Sequence, residues 1–582
     1  MLGVPVPRDF QLVAAHHLAF NRDTLLVVNR RTADGKTLAA TLPAFLRRGV
    51  GVFLVPLVGL GSDQVERATV IDHSIQPYHL DEHKGEDAAL LITRLRLLTV
   101  EESKWVTIKL FLGPKALSSQ KWGPVLERLA RKGVISLFCI DEAHEVEQSG
   151  RFFRPEFKAA VAAIPRLVKI MPKPVPRVLL SATLRQRDVD VCAQLLGDMR
   201  PNVLAGPLDR RSIKVTVHIS GDSASSLKNS AKRDFAVSPY HQQIWYTHSR
   251  SNAEGALLTA AQTILEKHHL LGGGPHSIAQ AFVGTDGIMM KTTTMDAIKM
   301  YDDLSGEGTV LDPSSYRSII GSTSSTDDVV ELPKVQCVVA TKSAQAGING
   351  VWLKYAKKKG LPSTMYEFSQ EMGRVDRGLD AEPGSNTYEV HADANSYLSF
   401  FIRTMSCSDA QERKQQLTAH HLVMQSLLTP TECYHVCLEK YFELTPLPNK
   451  EPCGHYCSKC LGRVPSFTGR VNKLQLISFL AGKVCGQGMT PSMADFIKAM
   501  KKDRQSIFHK DDVTKNMEQI HALVLQLFSK GVVELAVLDK TKIGTDKLHK
   551  EHLFVKTMMA KKGGVVLPAY MFPNSWSGLN VC

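Results

Sequence analysis

An α/β fold of several domains is predicted, with strands buried in parallel sheets, a cysteine-rich window and a basic C-terminal segment. Three observations predict it. Continuous apolar runs alternate with helix-like stretches from residue 25 onward, the pattern of strands buried on both faces of a parallel sheet. One run, Ile135 to Ile140, closes abruptly in Asp141-Glu142-Ala143-His144, and open α/β sheets bind ligands in the crevice at the carboxyl ends of their strands. Five cysteines, Cys433, Cys437, Cys453, Cys457 and Cys460, crowd into one short window. A chain of 582 residues is too long for a single core and implies several domains.

Composition narrows the function classes. The hydrophobic fraction of 43% and charged fraction of 22% are ordinary for a soluble globular protein. No apolar stretch is long enough to span a bilayer, the nearest being the glycine-punctuated Gly49 to Gly61. The N-terminal MLGVPVPRDF lacks the basic-then-apolar layout of a secretory signal. The expectation is an intracellular protein with no membrane partner, nuclear in a eukaryote and cytoplasmic otherwise. The formal net charge is +14, and residues 451–582, with 19 Lys+Arg against 10 Asp+Glu, carry +9 of it. A localised basic excess is the footprint of a polyanion binder. Eleven cysteines in such a chain argue for thiols or metal ligands, not disulfides.

Taken in order, Arg8 and Gln11 precede an amphipathic stretch through Phe20, and Leu25 to Asn29 is an apolar strand. Arg30-Arg31-Thr32-Ala33-Asp34-Gly35-Lys36-Thr37 and a helical pattern follow. Strand, Gly-Lys-Thr loop and helix is a phosphate-cradling layout. Backbone N–H groups and the helix N-terminus face the phosphates, Lys36 reaches their oxygens, and the Thr37 hydroxyl holds Mg²⁺. Val52 to Leu57 and Val106 to Leu112 are further buried strands. After the next one, Asp141 can hold Mg²⁺ and Glu142 can polarise an attacking water. Pro172 to Pro176 leads into the strand Arg177 to Leu180, which ends in Ser181-Ala182-Thr183. Hydroxyls there can bridge the acidic pair to whatever lies across the cleft. These first ~200 residues make one layered β/α domain.

With these residues in view, the chain resembles the RecQ family of superfamily 2 ATP-dependent DNA helicases. The resemblance is carried by Arg8 with Gln11, Gly35-Lys36-Thr37, Asp141-Glu142-Ala143-His144, Ser181-Ala182-Thr183 and, most specifically, Gln148 to Phe157, QSGRFFRPEF. That last stretch is similar to the family's aromatic-rich loop. It keeps Gly150, Phe153, Arg154, Pro155, Glu156 and Phe157, with Ser149 in place of the usual tryptophan and Arg151 in place of the usual histidine. Arg30 and Ala33 stand where the phosphate loop usually has glycines. The resemblance implies RecA-like lobes at 1–207 and 208–428, a zinc-binding subdomain at 429–466 and a winged-helix-like domain at 467–582.

Pro201 to Arg211 is expected to be a linker, its Leu208 to Arg211 resembling the family's entry into the second lobe. Strands are expected at Ile213 to Ile219, Gln243 to Thr247 and Val335 to Thr341, with an insertion at 303–330 that is long for a compact domain. Ser249-Arg250 and the run through Ala344, Gly347, Ile348 and Asn349 match further family motifs. Arg374 and Arg377, three residues apart on a helix, share a face and can reach one anion.

The resemblance implies a 3′-to-5′ DNA helicase acting in recombination and repair on single-stranded, duplex or junction DNA. ATP and Mg²⁺ would sit between the lobes. Arg8, Gln11, Asp34, Gly35, Lys36 and Thr37 would bind nucleotide. Lys36, Asp141, Glu142, His144, Gln370, Arg374 and Arg377 would be catalytic, with Thr37 and Asp141 on the metal. Phe153, Arg154, Phe157, Ser181, Thr183, Ser249, Arg250 and Thr341 would contact DNA. Zn²⁺ would be held by Cys433, Cys453, Cys457 and Cys460. Cys433 is preferred to Cys437 for its distance from Tyr441, and His435 and His455 are fallback ligands. Helical runs at Asn472 to Leu480, Met493 to Lys501 and Met517 to Lys530, then the strand-like Val532 to Leu538, resemble the family's winged helix loosely. Its strand-separating hairpin is expected in Val532 to Val555 or later. Two other readings stay open: a weakened or inactive nucleic-acid-binding relative, and an RNA helicase.

Overall fold

The computed structural model describes residues 7–31, 34–56, 61, 64–65, 68–69, 74–148, 155–208, 210–237, 242–248, 279–285, 288–292, 337–340, 353–375, 382–428, 432–444, 451–461, 475–476, 478–480, 491–507, 517–530, 532–538, 540–545, 547–557, 561–562 and 565–566. The first lobe runs α1 (Asp9–Phe20), β1 (Leu25–Asn29), α2 (Lys36–Arg47), β2 (Gly49–Leu54), β3 (Ile75–His79), α3 (Gly85–Leu97), β4 (Thr107–Leu112), α4 (Gly123–Lys132), β5 (Ile135–Ile140), α5 (Pro155–Lys169), β6 (Arg177–Ser181), α6 (Gln186–Leu195) and β7 (Pro201–Ala205). Its seven strands lie in the order β3-β4-β2-β5-β6-β1-β7, all parallel.

Every residue of β1, β2, β4, β5 and β6 is buried. Helices cover both faces, which explains why these strands read as unbroken apolar runs. One face packs Val27, Phe138, Phe157 and Leu179, and the other packs Phe10, Val28, Ala40 and Phe111. β7 corrects the expectation of a linker at 201–211: Pro201 to Ala205 pair in register with Leu25 to Asn29. As a half-exposed edge strand opening on proline, it carries no apolar run to announce it.

The second lobe runs β8 (Ile213–Ile219), α7 (Ser223–Val237), β9 (Gln242–Tyr246), β10 (Ala279–Thr285), β11 (Ile288–Thr292), β12 (Cys337–Ala340), β13 (Leu353–Lys359), α8 (Met365–Met372), β14 (Asn386–Ala392), α9 (Ala394–Met405) and α10 (Ala410–Leu428). The order is β11-β10-β12-β9-β13-β14-β8, parallel except for the β10–β11 hairpin. β13, LKYAKKK, hides its nature because Lys357 and Lys358 are fully buried. Each has found carboxylates: Lys358 Nζ lies 2.6 Å from Glu367 and 2.7 Å from Glu371, both on α8. Pairing of this kind is what lets an ammonium sit in a core.

The C-terminal third continues with α11 (Tyr434–Tyr441), α12 (Met493–Lys502), α13 (Met517–Ser529) and the antiparallel pair β15 (Val533–Val537) and β16 (Leu553–Thr557). Helix, helix and a strand thus appear where expected. One hydrophobic cluster runs from Val215 and Val390 of lobe 2 through Tyr434 to Leu523, Val533 and Val555. The cysteine loop adds to the sheet edge: Val215 donates its N–H to the Tyr456 carbonyl at 3.0 Å, and Ser458 donates to the Val215 carbonyl at 2.9 Å. No described helix is long and apolar enough to cross a membrane.

Candidate functional site

β1 and β5 flank β6, so the loops leaving them meet above one short stretch of sheet edge. Gly35 turns the first loop with φ +80°, and a Cβ there would come within 2.3 Å of the Gln11 amide nitrogen. Only glycine fits. Gln11 Nε2 donates to the Gly35 carbonyl at 3.0 Å and its Oε1 accepts the Arg8 N–H at 2.8 Å. Arg8 Nη1 reaches Asp34 at 2.9 Å. Arg8, Gln11, Asp34 and Gly35 therefore form one unit around the loop. Arg30, in a glycine position, lies over the Phe10 ring at 4.6 Å.

Lys36 donates to the Arg31 carbonyl at 3.0 Å. Burial lowers its pKa, and the nearby charges of Glu142 and Asp141 work against that lowering. The Thr37 hydroxyl and the Asp141 carboxylate converge on one amide: Gln64 Nε2 stands 3.3 Å from Thr37 Oγ1 and 3.4 Å from Asp141 Oδ2. A hydroxyl and a carboxylate oxygen aimed at one donor form a hard, oxygen-only set that fits Mg²⁺. Burial first, then Glu142, raises the Asp141 pKa. Glu142 adopts φ +47°, a left-handed backbone that costs energy outside glycine and recurs at functional sites.

His144 Nδ1 hydrogen-bonds Ser181 Oγ at 2.9 Å, and Nε2 lies 3.3 Å from Glu145. Burial opposes its charge, but the hydrogen bond to Glu145 and the neighbouring carboxylates raise its pKa. Ser181 Oγ accepts the Thr183 N–H at 3.0 Å, and Thr183 Oγ1 accepts from Gln370 of α8 at 3.2 Å. The strand-tip hydroxyls thus link His144 to the other lobe. Both residues are fully buried, so they are not the DNA-facing groups they were expected to be. Phe157 is corrected as well: on α5, it is fully buried in the lobe 1 core and offers no stacking face.

α8 faces lobe 1. The Tyr366 hydroxyl donates to Asp188, its ring stacks on His144 at 5.7 Å, and Arg185 lies over it at 5.1 Å. Phe442 meets the same ring edge-on at 5.0 Å, and Arg185 Nη1 donates to Tyr441 OH at 3.1 Å. The end of α11 therefore wedges against both lobes. Arg374 stands in a turn two residues past the end of α8, not on a helix as expected, and is buried. Gly373 beside it accommodates the Arg210 guanidinium, which a Cβ would meet at 2.6 Å, and Arg210 is close enough to Lys36 to depress its pKa. Gln64, Arg210 and Tyr366 were missed by sequence reasoning. Only Arg210, within the recognised lobe entry, carried a signal.

Cys433, Cys453, Cys457 and Cys460 place their sulfurs within 4.8 Å of one another, with Cys453–Cys460 at 3.6 Å and Cys433–Cys457 at 3.8 Å. A tetrahedral ion with Zn–S bonds of ~2.3 Å separates its sulfurs by about 3.8 Å, so the set fits zinc. The Cys453 and Cys460 N–H groups each point at a sulfur, of Cys433 and Cys457, at 3.4 Å. Cys437 lies outside the cluster against Glu432. Phe153, Arg154, Ser249, Arg250, Thr341, Arg377, the 303–330 insertion and the run from Ala344 to Asn349 lie outside the described residues.

Residues 8–191 match the DEAD/DEAH box helicase family. ATP-dependent DNA helicase Q5 of Rattus norvegicus is 23% identical over 436 residues, covering 74% of this chain and 39% of that protein. ATP-dependent helicase wrn-1 of Caenorhabditis elegans is 32% identical over 231 residues, 39% of this chain and 20% of that protein. RecQ-like DNA helicase BLM of Xenopus laevis is 22% identical over 464 residues, 78% of this chain and 29% of that protein. The chain thus spans well under half the length of these relatives.

Proposed function

We propose that the chain is a RecQ-type DEAD/DEAH box helicase, a DNA-stimulated ATPase that translocates 3′ to 5′ on single strands and unwinds duplex or junction DNA in recombination and repair. The observation that carries the reading is the single cluster made by Lys36, Thr37, Asp141 and Glu142, closed from lobe 2 by the Gln370–Thr183 bond. Lys36 leaves the Arg31 carbonyl for a phosphate oxygen, and Arg8 with Gln11 reads the base. Thr37 and Asp141 hold Mg²⁺, which neutralises phosphate charge when bound. Glu142 takes the proton of the attacking water, and Gln370 and His144 place it through Thr183 and Ser181. Arg374, with Arg377, stabilises the charge that develops on the transferring group.

The basic C-terminal region grips the DNA backbone as a winged-helix-like domain, and the four cysteines hold a structural Zn²⁺ that supports it. Phe153, Arg154, Ser249, Arg250 and Thr341 supply further DNA contacts. The test is ATP turnover with and without single-stranded DNA. Lys36→Ala and Glu142→Gln are each expected to lower kcat by about a hundredfold or more without loss of DNA binding. Wild-type protein that binds DNA but shows no turnover would mark a non-hydrolysing relative instead, and preferential unwinding of RNA duplexes would mark an RNA helicase.

A further inference from the structure

Lobe 2 holds a second group of metal-ligating side chains, separate from the cysteines and from the nucleotide cluster. His218 on β8 and His391 on β14 are direct register partners, so both imidazoles rise from one face of the sheet, stacked at 4.8 Å and 14°. Glu389, two residues before His391, shares that face. Its Oε1 lies 3.6 Å from His218 Nε2 and its Oε2 lies 3.2 Å from His391 Nε2. One ligand atom from each of the three residues falls within 4.8 Å of the others.

Three features separate this group from a self-satisfied polar network. His218 Nε2 is shielded from solvent with no hydrogen-bond partner among the described residues, since 3.6 Å to the carboxylate is too long. The outer contacts already orient the ligands. His391 Nδ1 bonds the Ser226 hydroxyl at 2.9 Å, while Glu389 Oε2 takes Lys357 Nζ at 2.6 Å and the Ser230 hydroxyl. That leaves Oε1 facing His218, an arrangement of outer contacts that aims donors inward. The charges also allow a cation: Lys357 is shared between Asp234 and Glu389, so one ammonium against two carboxylates leaves the group a net negative charge.

We propose that His218, Glu389 and His391 bind a borderline divalent transition metal, with Zn²⁺, Co²⁺ and Ni²⁺ as the class, at the β8–β14 edge of lobe 2. Two imidazoles and one carboxylate suit these ions and match poorly the all-oxygen preference of Mg²⁺ or Ca²⁺. The His218 side chain is 32% exposed, which gives the ion a way in and leaves its remaining positions to water. The bound ion ties the edge strand β8 to β14 and, through Ser226, to α7.

The experiment is equilibrium dialysis of the full chain against Zn²⁺, followed by metal analysis of wild type and H218A. The wild type is expected to retain one equivalent more than the variant, a difference that does not depend on how the cysteines are loaded. Co²⁺ at this site is expected to give weak ligand-field bands without the thiolate charge-transfer bands of a cysteine site. Equal metal content in wild type and H218A, or a second equivalent lost with Cys433→Ser and kept in H218A, overturns the proposal. Should H218A fail to fold by circular dichroism, H218N preserves a polar edge-strand residue, lacks the imidazole reach, and is held to the same two outcomes.

Discussion

Gln64 shows how much of the site depends on one amide. Its Nε2 is the common donor to Thr37 Oγ1 and Asp141 Oδ2, so it holds apart two oxygens that would otherwise relax independently. Each such bond is worth roughly 1 kcal/mol net. Gln64→Ala is expected to raise the Mg²⁺ concentration needed for half-maximal ATPase about tenfold, with little change in nucleotide affinity measured without metal. An unchanged Mg²⁺ dependence would show that Thr37 and Asp141 are positioned without it. Behind this pair, Lys109 Nζ donates to Thr41 Oγ1 at 2.8 Å, and Thr41 donates to the Thr37 carbonyl at 2.8 Å. Lys109 is completely buried between Phe53 and Phe111, and burial pushes its pKa down to about 8. A lysine inside the apolar run TIKLFL was visible in the sequence, but what it braces was not. The partners lie 68 residues away on another element.

At the scale of elements, α10 carries a titratable group that the fold keeps neutral. His420 stacks on Phe400 at 3.6 Å, bonds the Pro362 carbonyl at 3.1 Å, and burial pushes its pKa down to about 3. Between an unfolded pKa of ~6.5 and that value, the unfolded chain takes up a proton that the folded chain refuses. Stability is therefore complete above pH ~6.5 and falls by roughly 1.4 kcal/mol per pH unit below it. In urea titrations at pH 7, 6 and 5, His420→Leu is expected to lose less stability with acidification than wild type, by about one proton's slope. Parallel curves would refute it.

The same scale explains what the sequence made legible. β1, β4, β5, β6 and β8 could be read because burial on one or both faces writes itself as an apolar run or an alternation, while β2 begins at Gly49, three residues before the expected Val52. β7 and β13 could not, one because it is a half-exposed edge and the other because its lysines are neutralised by carboxylates on other elements. The site divides in the same way. Gly35, Lys36, Asp141 and Glu142 sit in contiguous stretches that announce themselves. The Tyr366–Asp188 bond, which spans 178 residues, leaves no local trace.

For the whole molecule, the cysteine cluster is a joint among three bodies. Cys433 opens α11, whose end places Tyr441 and Phe442 against Arg185 and Tyr366, and the Cys457 loop lies along β8. Removing the proposed zinc ion with a strong chelator, or Cys433→Ser, is expected to loosen lobe closure, measured as a loss of DNA-stimulated ATPase larger than the loss of DNA-independent turnover. An equal loss of both would place the cluster outside that coupling. The loop's two backbone bonds to Val215 have a further meaning. They occupy part of a rim that in any sheet is a template for another chain's backbone. A zinc-starved cell is then expected to accumulate this protein as oligomers and aggregates, not as idle monomers. Light scattering during chelation would reveal this as turbidity rising before helical signal is lost.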